Sequence, residues 1–113
     1  MSADCLFCRI ARREIPASIV YEDDDCVAFR DIGPQAPTHI LVIPRQHVST
    51  LDEVSEPLLI GRLMSAAAQV ARQEGIVESG YRTVINTNAG AGQTVFHLHV
   101  HLLAGRRLGW PPG

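Results

Sequence analysis

The stretch His97-Leu98-His99-Val100-His101-Leu102-Leu103 alternates a histidine with an apolar residue three times. A period of two belongs to a β-strand, whose successive side chains point to opposite faces. Read so, the three imidazoles share one side, about 6.5–7 Å apart, and Leu98, Val100 and Leu102 fill a buried opposite side. The residues alone leave three readings of the imidazole row: exposed surface histidines, a three-histidine metal site, or a group that does chemistry. One ion about 2.0–2.1 Å from each nitrogen reaches the outermost pair with difficulty. A neutral imidazole is a good nucleophile near pH 7, and its neighbours can donate to a developing phosphate charge.

The other elements fall around this strand. Cys5 to Arg13 reads as a short helix stopped by Pro16. Ser18–Tyr21 and Cys26–Ile32 read as a hairpin about Asp23-Asp24-Asp25, and Ile40-Leu41-Val42-Ile43 as a central strand covered on both faces. Residues 55 to 74 carry Leu59, Leu63, Ala66, Ala67 and Val70 at helical spacing, with Ser55 as the expected cap, Pro57 in the first turn and Gly75 at the stop. Arg82–Thr87 and Val95–Leu103 are two further strands. Strands at both ends with one main helix between them predict an α+β fold, with about five mostly antiparallel strands, one long helix and a short N-terminal helix.

Composition bounds the function. The 113 residues are 46% hydrophobic and 19% charged with a net charge of −2, as expected for one globular domain over residues 1–113. No apolar run approaches the roughly 20 residues of a membrane helix. Met1-Ser2-Ala3-Asp4 lacks the features of a signal peptide, so the expectation is a cytoplasmic protein without membrane contact. The balanced charge leaves no electrostatic footprint for nucleic acid. All ten basic residues are arginine, so no lysine can serve as acid or phosphate clamp.

The remaining candidates are the cysteines and the loop before the histidine strand. Three cysteines in a chain without an export signal argue against a disulfide framework. Cys5-Leu6-Phe7-Cys8 suits a redox pair, a metal site or two buried thiols; a thioredoxin-like role needs a βαβ context that is missing. Structural zinc takes four ligands, of which Cys2His2 is a standard set. Cys26, alone in a strand, reads as a small buried residue. Gly90 and Gly92 would let backbone N–H groups approach a phosphate, or serve only as a hairpin connection.

The histidine pattern resembles the signature of the histidine triad (HIT) superfamily. Phe29-Arg30-Asp31-Ile32, Pro34-Gln35-Ala36-Pro37-Thr38-His39, Leu41-Val42-Ile43-Pro44, Gly92-Gln93 and Trp110-Pro111-Pro112-Gly113 are similar to the Hint branch, over nearly the whole chain. The resemblance implies a HIT-like fold, a homodimer, and hydrolysis of purine nucleoside 5′-phosphoramidates to a nucleoside monophosphate and an amine. By motif position His99 would be the nucleophile, with His101 and His39 completing the catalytic set. Asn86, Gly92 and Thr94 would meet the phosphate, Asp31 with the Ile32 backbone the ribose, and Gln93 would be a further nucleotide contact. Leu6, Phe7, Ile10, Phe29, Ile32 and Leu41 would enclose the purine; from the residues alone they look like core. Trp110 would reach the partner's active site. Bacterial relatives bind zinc through a cysteine pair and two histidines, which implies a structural zinc on Cys5, Cys8, His47 and His97, with no organic cofactor. Thr94 departs from the serine of animal Hint proteins but keeps the hydroxyl. Two alternatives stand beside this one within the fold: a non-catalytic nucleotide-binding or scaffold protein, and a dinucleoside polyphosphate hydrolase. A metallohydrolase with zinc on all three triad histidines is a third.

Overall fold

His39 to Pro44 are buried in succession, as a β-branched run covered on both faces demands. The computed structural model describes residues 5–113; Met1-Ser2-Ala3-Asp4 lies outside the described residues. The buried run belongs to the middle of five strands: β1 (Ile19–Glu22), β2 (Cys26–Arg30), β3 (Thr38–Pro44), β4 (Tyr81–Val84) and β5 (Val100–Ala104). They form one sheet in the order β1-β2-β3-β5-β4, every neighbouring pair antiparallel. The β1–β2 turn is set by Asp23, whose Oδ1 accepts the N–H groups of Asp25 and Cys26 at 2.8 and 2.7 Å, the expected Asx turn.

Two helices cover opposite faces. Helix α2 (Pro57–Glu74) lays Leu63, Ala66, Ala67, Val70 and Ala71 on Cys26, Ala28, Ile40, Val42, Leu98, Val100 and Leu102. The alanines let the helix approach closely, and a fully buried Leu63 or Val70 is worth about 1.5–3 kcal/mol. Helix α1 (Leu6–Ala11) packs Phe7 and Ile10 on Val27, Phe29, Leu41 and Ile43 across the sheet. Among the described residues no helix is long and apolar enough to cross a membrane.

Three expectations shift. Helix α2 is capped by Glu56 and not Ser55, with no side-chain capping bond; Pro57 takes the first helical position and holds the preceding residue extended. Helix α1 ends at Ala11, before Pro16, because Arg13 turns left-handed at φ 60°. The histidine strand is shorter than expected, its ladder starting at Val100 opposite Val42. Pro44 has no N–H to continue it, and the Leu98 N–H turns to the Val48 carbonyl at 2.7 Å. Residues 97–99 nonetheless keep the alternation: Leu98 faces α2, and His97 and His99 face Phe7 of α1.

Candidate active site

Because the ladder stops short, the backbone around His97 is free to serve side chains. His99 Nδ1–H donates to the His97 carbonyl at 2.7 Å. A carbonyl can only accept, so the His99 proton sits on Nδ1 and the lone pair on Nε2. The Phe7 ring meets the His99 ring edge to face, centroids 5.1 Å apart at 89°, and leans on Phe29. Backbone hydrogen bond and aromatic wall together fix the tautomer and the orientation of a buried imidazole.

His101 follows on β5, its ring centroid 5.0 Å from that of His99. Its Nδ1 lies 2.9 Å from Nε2 of His39 on β3, where register pairs Leu41 with His101 and His39 with Leu103. The Gln35 N–H donates to His39 Nδ1 at 3.0 Å, and Asp31 Oδ2 stands 3.5 Å from His39 Nε2. Burial, helped by His99 and His39, pushes the His101 imidazole down to about 4. Burial also lowers His39, against the pull of Asp31. Both rings are therefore neutral at physiological pH, as hydrogen-bonding groups and not as fixed cations.

Beside the triad lies a cleft of about 350 Å³, lined by Leu6, Phe7, Ile10, Phe29 and Leu41, with Asp31, Ile32 and Thr94 at its rim. These are eight of the expected nucleotide-contacting residues. Ile15, Pro16, Ala17, Arg30 and Val95 complete the lining; of the first three, the sequence singles out only Pro16, as a helix stop. Ile32 is fully exposed, the position of a lip over an apolar slot. Such a slot with one carboxylate at its mouth suits a flat apolar ring carrying hydroxyls.

The other expected contacts lie elsewhere. Asn86 and Gly92 belong to the loop leading to residue 97 and do not line the cleft; Gly92 is left-handed at φ 93°. Gln93 is buried: Oε1 accepts the Asn88 N–H at 2.8 Å, and Nε2 donates to the Ser49 and Val95 carbonyls at 2.8 and 3.2 Å. Its amide is consumed in bracing two loops. Trp110 is 82% exposed, under the Arg82 guanidinium 5.9 Å from its ring centre, and stands away from the cleft.

On the far side of Phe7 the four expected metal ligands converge. Cys5 Sγ lies 3.3 Å from His97 Nδ1, Cys8 Sγ 3.3 Å from His47 Nδ1 and 3.5 Å from His97 Nδ1, and the two Nδ1 atoms are 3.2 Å apart. Four atoms about 2.0–2.3 Å from a common centre are separated by roughly 3.3–3.8 Å in a tetrahedron, so the donor set fits a zinc-sized ion. His97 Nε2–H donates to the Pro44 carbonyl at 2.8 Å, which leaves the Nδ1 lone pair for metal, and burial pushes this imidazole down to about 4, the neutral form a ligand needs. Asp31, His39 and His101 form a second convergent group, but the Gln35 N–H on Nδ1 keeps the His39 proton on Nε2, where a metal would have to bind. Zinc on all three triad histidines fails similarly, since His97 presents Nδ1 to the cysteines and spends Nε2 on Pro44. Burial pushes the Cys26 thiol up to about 11, an inert core residue.

Comparison with known proteins bears on the family and the fold. Residues 12–108 match the family described as HIT domain; Cys5, Cys8 and Trp110 lie outside that span. The purine nucleoside phosphoramidase of Escherichia coli (strain K12) is 53% identical over 96% of this chain and 93% of its own. An uncharacterised HIT-like protein of Synechococcus elongatus is 59% identical over 100% of both chains. A HIT family hydrolase from Legionella pneumophila superposes with a TM-score of 0.94 at 51% identity, covering 97% of this chain and 100% of that one. Another from Clostridium thermocellum gives 0.91 at 45% identity over 95% of each.

Proposed function

The chain belongs to the HIT domain family, and from that premise we propose that it is a hydrolase that cleaves the phosphorus–nitrogen bond of purine nucleoside 5′-phosphoramidates. The single observation that carries this reading is the His99 ring, held at Nδ1 by the His97 carbonyl with its Nε2 lone pair free. The 53% identity to a purine nucleoside phosphoramidase supports the substrate class.

In the first step the His99 Nε2 lone pair attacks the α-phosphorus. A P–N bond to histidine forms, the P–N bond to the amine breaks, and the departing nitrogen takes up one proton from solvent, which the water of the second step returns. His101 donates a hydrogen bond to the phosphate and assists the departing nitrogen. In the second step water bonds to phosphorus and loses a proton, and His99 leaves with its lone pair. The sum is phosphoramidate plus water to nucleoside monophosphate plus amine. The purine lies in the apolar cleft with the ribose hydroxyls at Asp31, which makes discrimination between adenine and guanine weak. Thr94 at the rim and the loop of Asn86 and Gly92 serve the phosphate.

Zinc on Cys5, Cys8, His47 and His97 would cross-link the start of α1 to the segment that carries the nucleophile. It would act as a brace, with His97 tied to His99 through the 2.7 Å carbonyl bond. We place the protein in the cytoplasm as a homodimer, with the exposed Trp110 covered by the partner.

The test is mass spectrometry after a rapid quench with adenosine 5′-monophosphoramidate. A nucleotidyl adduct on His99 is expected in the native enzyme, and neither adduct nor turnover in His99→Ala. Wild-type turnover in His99→Ala would sink the covalent mechanism. Tight AMP binding with no turnover of any phosphoramidate would establish a non-catalytic binder instead.

A further inference from the structure

Arg106 follows β5, beside the loop 33–37 that enters β3. Its guanidinium donates to the Gln35 carbonyl at 3.1 Å and to the Arg107 carbonyl at 3.1 Å. Gln35 is thus held at its carbonyl while its own N–H holds His39 Nδ1 at 3.0 Å. The loop is tied down twice more. Gln35 Nε2 donates to the Gly33 carbonyl at 3.0 Å. Gly105, at φ +95°, lies so close to Pro37 that a Cβ there would stand 2.7 Å from the proline Cβ.

A backbone N–H can only donate, so His39 Nδ1 carries a lone pair and the neutral ring has its proton on Nε2. That nitrogen is 2.9 Å from His101 Nδ1 and donates to it; Asp31 Oδ2 at 3.5 Å favours the proton there. A neutral His101 accepting at Nδ1 carries its own proton on Nε2. We infer that Arg106 is a positioning residue: by pinning Gln35 it holds His39 in the Nε2–H tautomer, and so makes His101 present an N–H, and not a lone pair, to the phosphate. What faces His101 rests on the function proposed above, whereas the order of protons from Gln35 to His101 stands without it. The chain conducts no proton to solvent, because it ends on an amide that cannot give one up. It sets a direction only.

The test is long-range ¹⁵N–¹H correlation NMR of the imidazoles in the full-length, metal-replete protein, together with phosphoramidate kinetics. Wild type is expected to show the Nε2–H tautomer at both His39 and His101. Arg106→Ala admits the Nδ1–H form at these rings and lowers kcat roughly two- to tenfold with KM changed by less than about twofold, the scale of one lost hydrogen bond. Arg106→Lys, which keeps a donor for the Gln35 carbonyl, recovers most of both, and Arg107→Ala alters neither. An Nδ1–H His39 in wild type overturns the order of protons. Wild-type tautomers in Arg106→Ala, whatever its rate, overturn the part given to Arg106. The expected tautomers in a protein that turns over no phosphoramidate refute the functional reading alone.

Discussion

Gln93→Ala separates a structural amide from a ligand contact. Gln93 is 4% exposed, and its side chain makes three hydrogen bonds, all to backbone groups: the Asn88 N–H and the carbonyls of Ser49 and Val95. At about 1 kcal/mol net for each bond, truncation costs roughly 3 kcal/mol. A chain of 113 residues unfolds with an entropy of about 0.24 kcal/mol/K, so Tm falls by about 12 °C. The loss reaches the site because the same amide joins the segment following His47 to the loop that leads into residue 97. Thermal denaturation followed by circular dichroism reads the stability, and initial rates read KM. A Tm within about 2 °C of wild type with a raised KM would refute the brace and return Gln93 to the substrate. Gln93→Glu adds a polarity test. It keeps the acceptor for Asn88 but turns an oxygen toward two carbonyls, so burial and repulsion raise the carboxyl above its unfolded value of about 4.3. The folded variant then binds more protons than the unfolded chain, and its deficit against wild type grows as pH rises above about 4.3.

Cys8→Ser and His47→Ala should each lower bound zinc well below about one ion per chain, measured by atomic emission, and depress Tm before they touch substrate affinity; full zinc retention in the double variant would refute the ligand assignment. The pH dependence of stability follows from the buried imidazoles. His101, pushed down to about 4 by burial, binds fewer protons folded than unfolded between its ordinary value of about 6.5 and 4. The stability it contributes is complete above pH 6.5 and is lost as pH falls toward 4. Wild-type Tm should therefore drop between pH 6.5 and 5, above the range of ordinary carboxylates, and His101→Gln should drop less steeply. Equal slopes for the two proteins would contradict a neutral, half-buried His101.

Periodicity carried much of the fold. The alternation in residues 97–103, the continuous run of β3 and the helical spacing of α2 each reported which side chains are buried, and burial dictates layer order. The cap at Glu56 and the late start of β5 were not legible, because both depend on a proline acting on the backbone: Pro57 on its own helix, and Pro44 on a strand more than fifty residues away in the chain. The cleft walls and the convergence of Cys5, Cys8, His47 and His97 were legible through recurring patterns of residue types, and the role proposed for His99 rests on a pattern of the same kind. Gln93 was not, because a glutamine beside a glycine loop looks the same whether its amide faces a phosphate or three backbone groups. Arg106 carries no sequence signal at all; its effect passes through the carbonyl of Gln35, seventy-one positions away. Ile15, Pro16 and Ala17 joined the cleft only once α1 was docked on the sheet.

The early end of the β5 ladder has a consequence for how far this scaffold can be regularised. Repairing the sheet by giving β3 a donor at position 44 would extend regular pairing toward residues 97–99 and reward it with stability. It would also pull the Leu98 N–H from Val48 toward the carbonyl of residue 44, which now accepts from His97 Nε2, and so shift the segment whose His97 carbonyl orients His99. Redesign aimed at a longer, stiffer strand would thus raise the melting point and lower the turnover.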